Sequence, residues 1–253
     1  YNSGKITHLS GDPSGSHTSN GRGGLNVAIG YKAMMHGGTT NVAIGHEALA
    51  YQSGSNKCVA VGYAAMEGAA RNITSVTAVG YGAGSALPYG SYGGYQTAIG
   101  LSAGRTSGEG SVSVGNYAGY RIGVYTTAIG GNALSRGIGA RNVAVGYDAL
   151  RGNPYTQGQE TDNSTGERNT AVGYQAGLSY NSASYNTFVG NAAGYRIDDG
   201  EYTVAIGYNS GYNATGSSNT FVGSSAGFGN SSAPYASGYG NVALGNNALA
   251  SFT

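Results

Sequence analysis

Charged side chains make up only 9% of this 253-residue chain, tryptophan is absent, and there are four prolines and one cysteine. Each shortage excludes something. Twelve basic residues against eleven acidic ones leave no electrostatic footprint for duplex DNA or an anionic membrane, so neither a nucleic-acid partner nor membrane insertion is expected. The lone Cys58 cannot close an internal disulfide, and it lacks the paired spacing of a zinc or redox site. No apolar run approaches the roughly 18 residues of a membrane span. The opening Tyr1-Asn2-Ser3-Gly4 has neither a basic nor an apolar leader region, which reads as a mature form or a fragment. Stability must therefore come from backbone pairing and packing.

What the chain has in excess is glycine, 48 residues, and tyrosine, 22 residues. With 40% hydrophobic residues and a net charge of +1 it is too apolar and too neutral for disorder. The glycines fall in register. Thirteen of them end a short apolar run: Gly30, Gly45, Gly62, Gly80, Gly100, Gly115, Gly130, Gly146, Gly173, Gly190, Gly207, Gly223 and Gly245, at spacings of 15 to 27 residues. The residue before each is Ile, Val or Leu, from Ile29 to Leu244, and the third before is Val or Thr. β-Branched residues at period two are strand chemistry, and the residue just before the glycine is predicted to be buried.

The column between them is Ala28, Ala43, Ala60, Ala78, Ala98, Ser113, Ala128, Ala144, Ala171, Phe188, Ala205, Phe221 and Ala243. This restriction predicts close packing against it. Asn stands four before the glycine in seven repeats, which suits either an amide ladder or a turn preference. Three after the glycine comes Ala, or Ser210 in one repeat. The next position is Leu or Met (Met34, Leu49, Met66, Leu134, Leu150, Leu249) or Gly. Five of the seven Gly cases have a large residue one place later, at Tyr120, Leu178, Tyr195, Tyr212 and Phe228, which predicts a bulge that shifts the core anchor by one.

Units of this length cannot bury an apolar face alone and must stack. The expected fold is all-β, a parallel β-solenoid of about thirteen short coils over residues 26–253, with 1–25 as a capping or docking segment and a longer loop at 151–168. Twelve steps at the spacing of paired strands give a rod of roughly 58 Å. A helical hairpin repeat is disfavoured, because glycine costs about 1 kcal/mol per helical position and no 3.6-residue apolar stripe persists.

The runs Asn26-Val27-Ala28-Ile29-Gly30 and Asn41-Val42-Ala43-Ile44-Gly45 resemble the head repeats of trimeric autotransporter adhesins. Asn169-Thr170-Ala171-Val172-Gly173-Tyr174-Gln175-Ala176-Gly177 and Asn186-Thr187-Phe188-Val189-Gly190 resemble repeats of phage tail-fibre proteins. The resemblance implies a left-handed parallel β-roll that trimerises side by side into an attachment device. It further implies that the branched residues fill the coil while Ala28 and its equivalents, Phe188 and Phe221 included as candidate subunit-packing residues, face outward against another coil or subunit. Repeat lengths vary more here than in the adhesins.

Little in the sequence points to chemistry. The acidic residues fall in different columns of different repeats, so no catalytic pair recurs. His8, His17, His36 and His46 are more simply loop residues than a metal or proton-transfer site. Asp198-Asp199-Gly200-Glu201 lacks the alternation of a calcium loop, and no phosphate-cradling Gly-x-x-x-x-Gly-Lys run exists. Neither enzymatic activity nor a cofactor or metal is expected. Tyr31, Tyr63, Tyr81, Tyr147, Tyr174 and Tyr208 directly follow the corner glycine and are predicted to align into a broken stripe that either contacts a glycan or joins subunits. The loop 151–168, with Tyr155, and residues 231–239 are further places for recognition.

The expected role is an extracellular adhesive fibre, on a virion tail or a bacterial surface, that binds itself and a cell-surface glycan. The alternative is a protomer that polymerises head to tail into a filament without a receptor of its own.

Overall fold

The computed structural model describes residues 7–9, 25–35, 38–51, 54–68, 73–86, 94–152, 164–229 and 237–251. Among them there is no helix; every regular element is a strand of two or three residues. The chain forms two compact units, Tyr1–Tyr120 and Arg121–Thr253. The first holds β1 (Thr7–Leu9), β2 (Val27–Ile29), β3 (Val42–Ile44), β4 (Val59–Val61), β5 (Thr77–Val79), β6 (Thr97–Ile99) and β7 (Val112–Val114). The second holds β8 (Thr127–Ile129), β9 (Val143–Val145), β10 (Thr170–Val172), β11 (Ser179–Tyr180), β12 (Thr187–Val189), β13 (Arg196–Asp198), β14 (Val204–Ile206), β15 (Thr220–Val222) and β16 (Val242–Leu244).

Each unit is a parallel β-solenoid. Strands pair with the next coil in unshifted register, so that Val27 faces Val42 and Val42 faces Val59 in the first unit. In the second, Thr170 faces Thr187 and Thr187 faces Val204. The short β11 and β13 form a separate parallel pair. Within the expected capping or docking segment, Thr7–Leu9 is a rung in register with Val27–Ile29.

The corner explains the glycine column. At the thirteen corner positions φ lies between +116° and +141°, a region closed to side chains. A Cβ at Gly80 would stand 2.5 Å from the Gly100 carbonyl oxygen of the next coil. Beyond the corner the chain turns with positive φ at the second and fourth residues, as at Glu47 and Leu49 or Asp148 and Leu150. The Ala48 N–H reaches back to the Gly45 carbonyl and the Ala50 N–H to the Glu47 carbonyl, so two overlapping turns carry positive φ at their third residue, as type II turns do. Coil-to-coil bonds continue through the turn, for example Leu49 N–H to the Ala65 carbonyl.

Within each strand the faces are the reverse of the sequence expectation. Ala43, Ala60, Ala78, Ala128, Ala144, Ala171 and Ala205 have no exposed surface, whereas the branched residues on either side of them are half-exposed or exposed. Local interior width contributes to this. A Cβ on Gly104 would lie 2.8 Å from the Ala98 Cβ across the coil, so at that coil a methyl group fits and an isoleucine does not, whereas Phe188 and Phe221 fill the same column beside Gly194 and Gly227.

In some coils strand and turn exchange the large interior residue, while in others, such as those of Ala78 with Gly84 and Ala98 with Gly104, both places are small. Leu or Met four after the corner always accompanies Ala in the strand, and Leu49, Met66, Leu134 and Leu150 are fully buried. Where Phe188 and Phe221 replace that alanine the turn residue is glycine, and a Cβ on Gly177 would meet the Phe188 ring at 2.8 Å. At the turn residue itself glycine makes no bulge, since Gly177, Gly194, Leu134 and Leu150 share positive φ between +46° and +60°; a register shift lies just beyond, between Ser179 and Tyr180 where β11 pairs with β13. Of the five shifted anchors only Leu178 is buried; Tyr195, Tyr212 and Phe228 instead stack on one another at 4.5 and 5.1 Å, half-exposed.

The asparagine column is a buried amide ladder. In the second unit Asn169 N–H donates to Asn142 Oδ1 (2.8 Å), Asn186 N–H to Asn169 Oδ1 (3.0 Å), Thr203 N–H to Asn186 Oδ1 (2.8 Å), and Asn241 N–H to Asn219 Oδ1 (2.9 Å). The Nδ2 groups donate to loop carbonyls, Asn169 to Ala183 and Asn186 to Gly200. Each amide thus serves donors and acceptors that burial would otherwise leave unpaired, which is worth more than the net value of any one bond.

Candidate interaction face

Burial alternates along the coil, so the exposed side of the ladder carries the fifth, third and first residues before the corner and, beyond it, the residue after. The two inner columns are aliphatic or threonine. Val27, Ile29, Ile44, Ile99, Ile129, Val143, Val172, Val189 and Ile206 are all exposed, mostly by about two-fifths, which is unusual for side chains of this size repeated in register. Each coil adds one Ile, Val or Leu and one Val or Thr about 4.8 Å from the last. The alanine column predicted to pack against subunits, with Phe188 and Phe221, is sealed inside a single chain and can touch no partner. Any subunit contact through this sheet is made by the branched residues instead. Period two revealed that two faces exist; only the folded coil says which is outside.

Aromatic columns flank the aliphatic pair. Tyr31, His46, Tyr63 and Tyr81 form one pile, with ring centroids 5.1, 4.7 and 5.1 Å apart. Tyr147 and Tyr174 stack at 5.8 Å, and Tyr208 is exposed in the same column. The stripe therefore exists in segments, and in these piles the ring faces are turned to each other; edges and hydroxyls reach solvent. Sugar stacking on the faces between the rings is geometrically blocked, while hydrogen bonding along the edges is open. Tyr155 lies outside the described residues. On the other flank Tyr185 and Tyr202 stack at 5.1 Å, and the Arg168 guanidinium lies over Tyr185 at 5.1 Å while donating to its hydroxyl.

Titratable groups are scattered. Among the described residues no three His, Cys, Asp or Glu side chains converge on a possible metal position. His46 lies in the ring pile with Nδ1 3.7 Å from Glu47; His17 and His36 lie outside the described residues, as does the His8 side chain. Asp148 pairs with Arg151 at 3.3 Å. Burial, followed by the neighbouring Asp199 carboxylate, holds the Asp198 carboxyl above its ordinary range, with a Ser179 hydrogen bond opposing. Burial also raises the Cys58 thiol and the fully enclosed Tyr180 hydroxyl, which has no hydrogen-bond partner. Asn213, within one Asn-x-Ser/Thr triplet, is buried. No helix of the described residues is long and apolar enough to cross a membrane.

Comparison with protein-family models, curated sequences and solved structures returned no match, so the functional reading rests on the coil itself.

Proposed function

We propose that this chain is a segment of a homo-oligomeric attachment fibre whose copies pack side by side through the outward Val/Thr and Ile/Val columns. The observation that carries this reading is the uncharged face of Ile, Val, Leu and Thr repeated in both units, whose exposed Ile and Val side chains globular monomers mostly keep inside. Contiguous apolar surface of this kind marks an interaction site. Its periodicity selects the partner, because only another ladder with the same axial spacing can match it coil after coil, and a second copy supplies that. The resemblance to trimeric adhesin heads and phage tail fibres points to a trimer, displayed outside the cell on a virion or a bacterial surface. Adhesion then comes from multivalency: each copy added to the bundle repeats the same surface groups, and weak contacts multiply.

Electron microscopy of the purified chain, with binding to whole bacteria or immobilised surface glycans, tests the proposal. Discrete bundles of constant width that bind such surfaces are the expected result. Isolated single chains that bind neither each other nor any surface would refute it.

A further inference from the structure

We infer that the column five residues before the corner in the second unit is a binding track for a carboxylate-bearing polysaccharide, with Arg141 and Arg168 as its anion-binding pair. The inference rests on the attachment reading above and specifies the chemistry of what is attached.

The column runs Tyr125, Arg141, Arg168, Tyr185, Tyr202, all exposed, on five coils whose strands β8, β9, β10, β12 and β14 are successive neighbours in register. Its backbone is held as firmly as the strands. The Arg141 N–H donates to the Val124 carbonyl, Arg168 to Ala140, Tyr185 to Glu167 and Tyr202 to Ser184, and the last four members all have φ between +55° and +61°. The side chains are thus fixed at the coil spacing, about 4.8 Å.

Two features set the arginines apart from ordinary surface charge. First, they are like charges on adjacent rungs. Among the described residues neither lies within ion-pair distance of a carboxylate, although Glu167 adjoins Arg168 in sequence and the unit does form the Asp148–Arg151 pair. Like charges directly opposite on paired strands are destabilising, and the same column elsewhere accepts Thr40, Ser75 and Ser218. Second, the Arg168 guanidinium is oriented by the Tyr185 ring and hydroxyl, so that its N–H groups beyond the one bonded to Tyr185 are held in place to meet a carboxylate. The Tyr125, Tyr185 and Tyr202 edges on either side can donate to or accept from sugar hydroxyls. An anionic sugar chain lying along the ladder satisfies both the charge pair and the hydroxyls; a neutral one satisfies only the latter.

The test is titration of the whole chain with oligogalacturonate, against dextran as the neutral control and dextran sulfate as a polyanion without carboxylates. Oligogalacturonate is expected to bind, dextran is not, and the R141Q/R168Q double variant should lose affinity by about tenfold or more. R136Q, which removes another exposed arginine of the same unit outside the column, should bind as the parent does. Without ligand, R141Q alone should melt no lower than the parent, because it removes one of two like charges on adjacent rungs. Failure to bind oligogalacturonate, equal losses in R136Q and the double variant, or preference for dextran sulfate would overturn the inference. Sedimentation of the double variant separates the two readings: an unchanged oligomer with no uronate binding leaves the fibre standing and removes the track.

Discussion

In the first unit the early coils are filled from the turn, where Leu49 and Met66 lie in one cluster with Ala43 and Ala60, while the later ones carry Gly84, Gly104 and Gly119 there with Ala78, Ala98 and Ser113 in the strand. The second unit begins the same way with Leu134 and Leu150, then reverses: Phe188 and Phe221 fill the interior from the strand, and the turn residues become Gly177, Gly194, Gly211 and Gly227. The polar lining differs too. In the second unit the column four before the corner is a run of Asn and Thr bonded rung to rung, whereas in the first it passes from Asn26 and Asn41 to Cys58 and Val76 and joins the apolar cluster. One backbone course therefore accepts two interiors. What the fold demands is a closed interior, satisfied buried amides and glycine at the corner, not a fixed residue in each column.

The largest expected effect comes from breaking the volume exchange. Phe188→Ala should cost about 3 to 5 kcal/mol in denaturant unfolding, as large-to-small changes in a closed core do. Adding Gly194→Leu should recover part of that loss, since it recreates the strand-alanine, turn-leucine filling of Leu134, whose φ is also positive. A double variant less stable than Phe188→Ala alone would show that the two fillings are not equivalent.

A smaller loss follows from cutting the ladder. Asn186→Ala removes the acceptor for Thr203 N–H and the donors to Gly200 and Asn169, for an expected cost of roughly 2 to 4 kcal/mol. Cys58→Ala, at the equivalent place in the first unit, should cost only about 1 kcal/mol. Equal losses on thermal melting would mean that the amide ladder contributes no more than apolar packing at the same site.

The smallest effect concerns pH. Because burial raises the Asp198 carboxyl above its ordinary value of 3.8, its contribution is fully present below that value and is lost as pH rises through the raised pKa. Asp198→Asn, which suits the positive φ of +36° there, should slightly raise the melting temperature at pH 7 and flatten its dependence just above pH 3.8. An unchanged pH profile would remove Asp198 from the account.

Most of the coil was legible in the sequence. Thirteen glycines, the period-two strands and the asparagine column all read through directly, because each follows from backbone geometry that tolerates few substitutes. Two things did not. Alternation cannot say which parity faces inward, and the preference of Val and Ile for burial gave the wrong answer; local coil width contributes to the choice and is set by turns that the sequence marks only indirectly, through Ala33 and its equivalents. The rung at Thr7–Leu9 was missed because its strand carries the polar His8 where the others carry Ala, Ser or Phe. Of the candidate site, the aromatic stripe was legible as a column, but the faces turned to each other and the Arg141–Arg168 adjacency emerge only once coils of unequal length are stacked.

The outward aliphatic face is the centre of the account, and sedimentation velocity of the parent chain beside a Val172→Lys/Ile206→Lys variant tests it most directly. Both side chains are about two-fifths exposed on the sheet, so lysine there should leave the coil folded and its circular dichroism unchanged. The parent should sediment as a closed oligomer, a trimer by the resemblance, and the variant as a folded monomer. A monomeric parent, or a variant that keeps the parent's oligomeric state, would contradict the claim that these columns join copies of the chain.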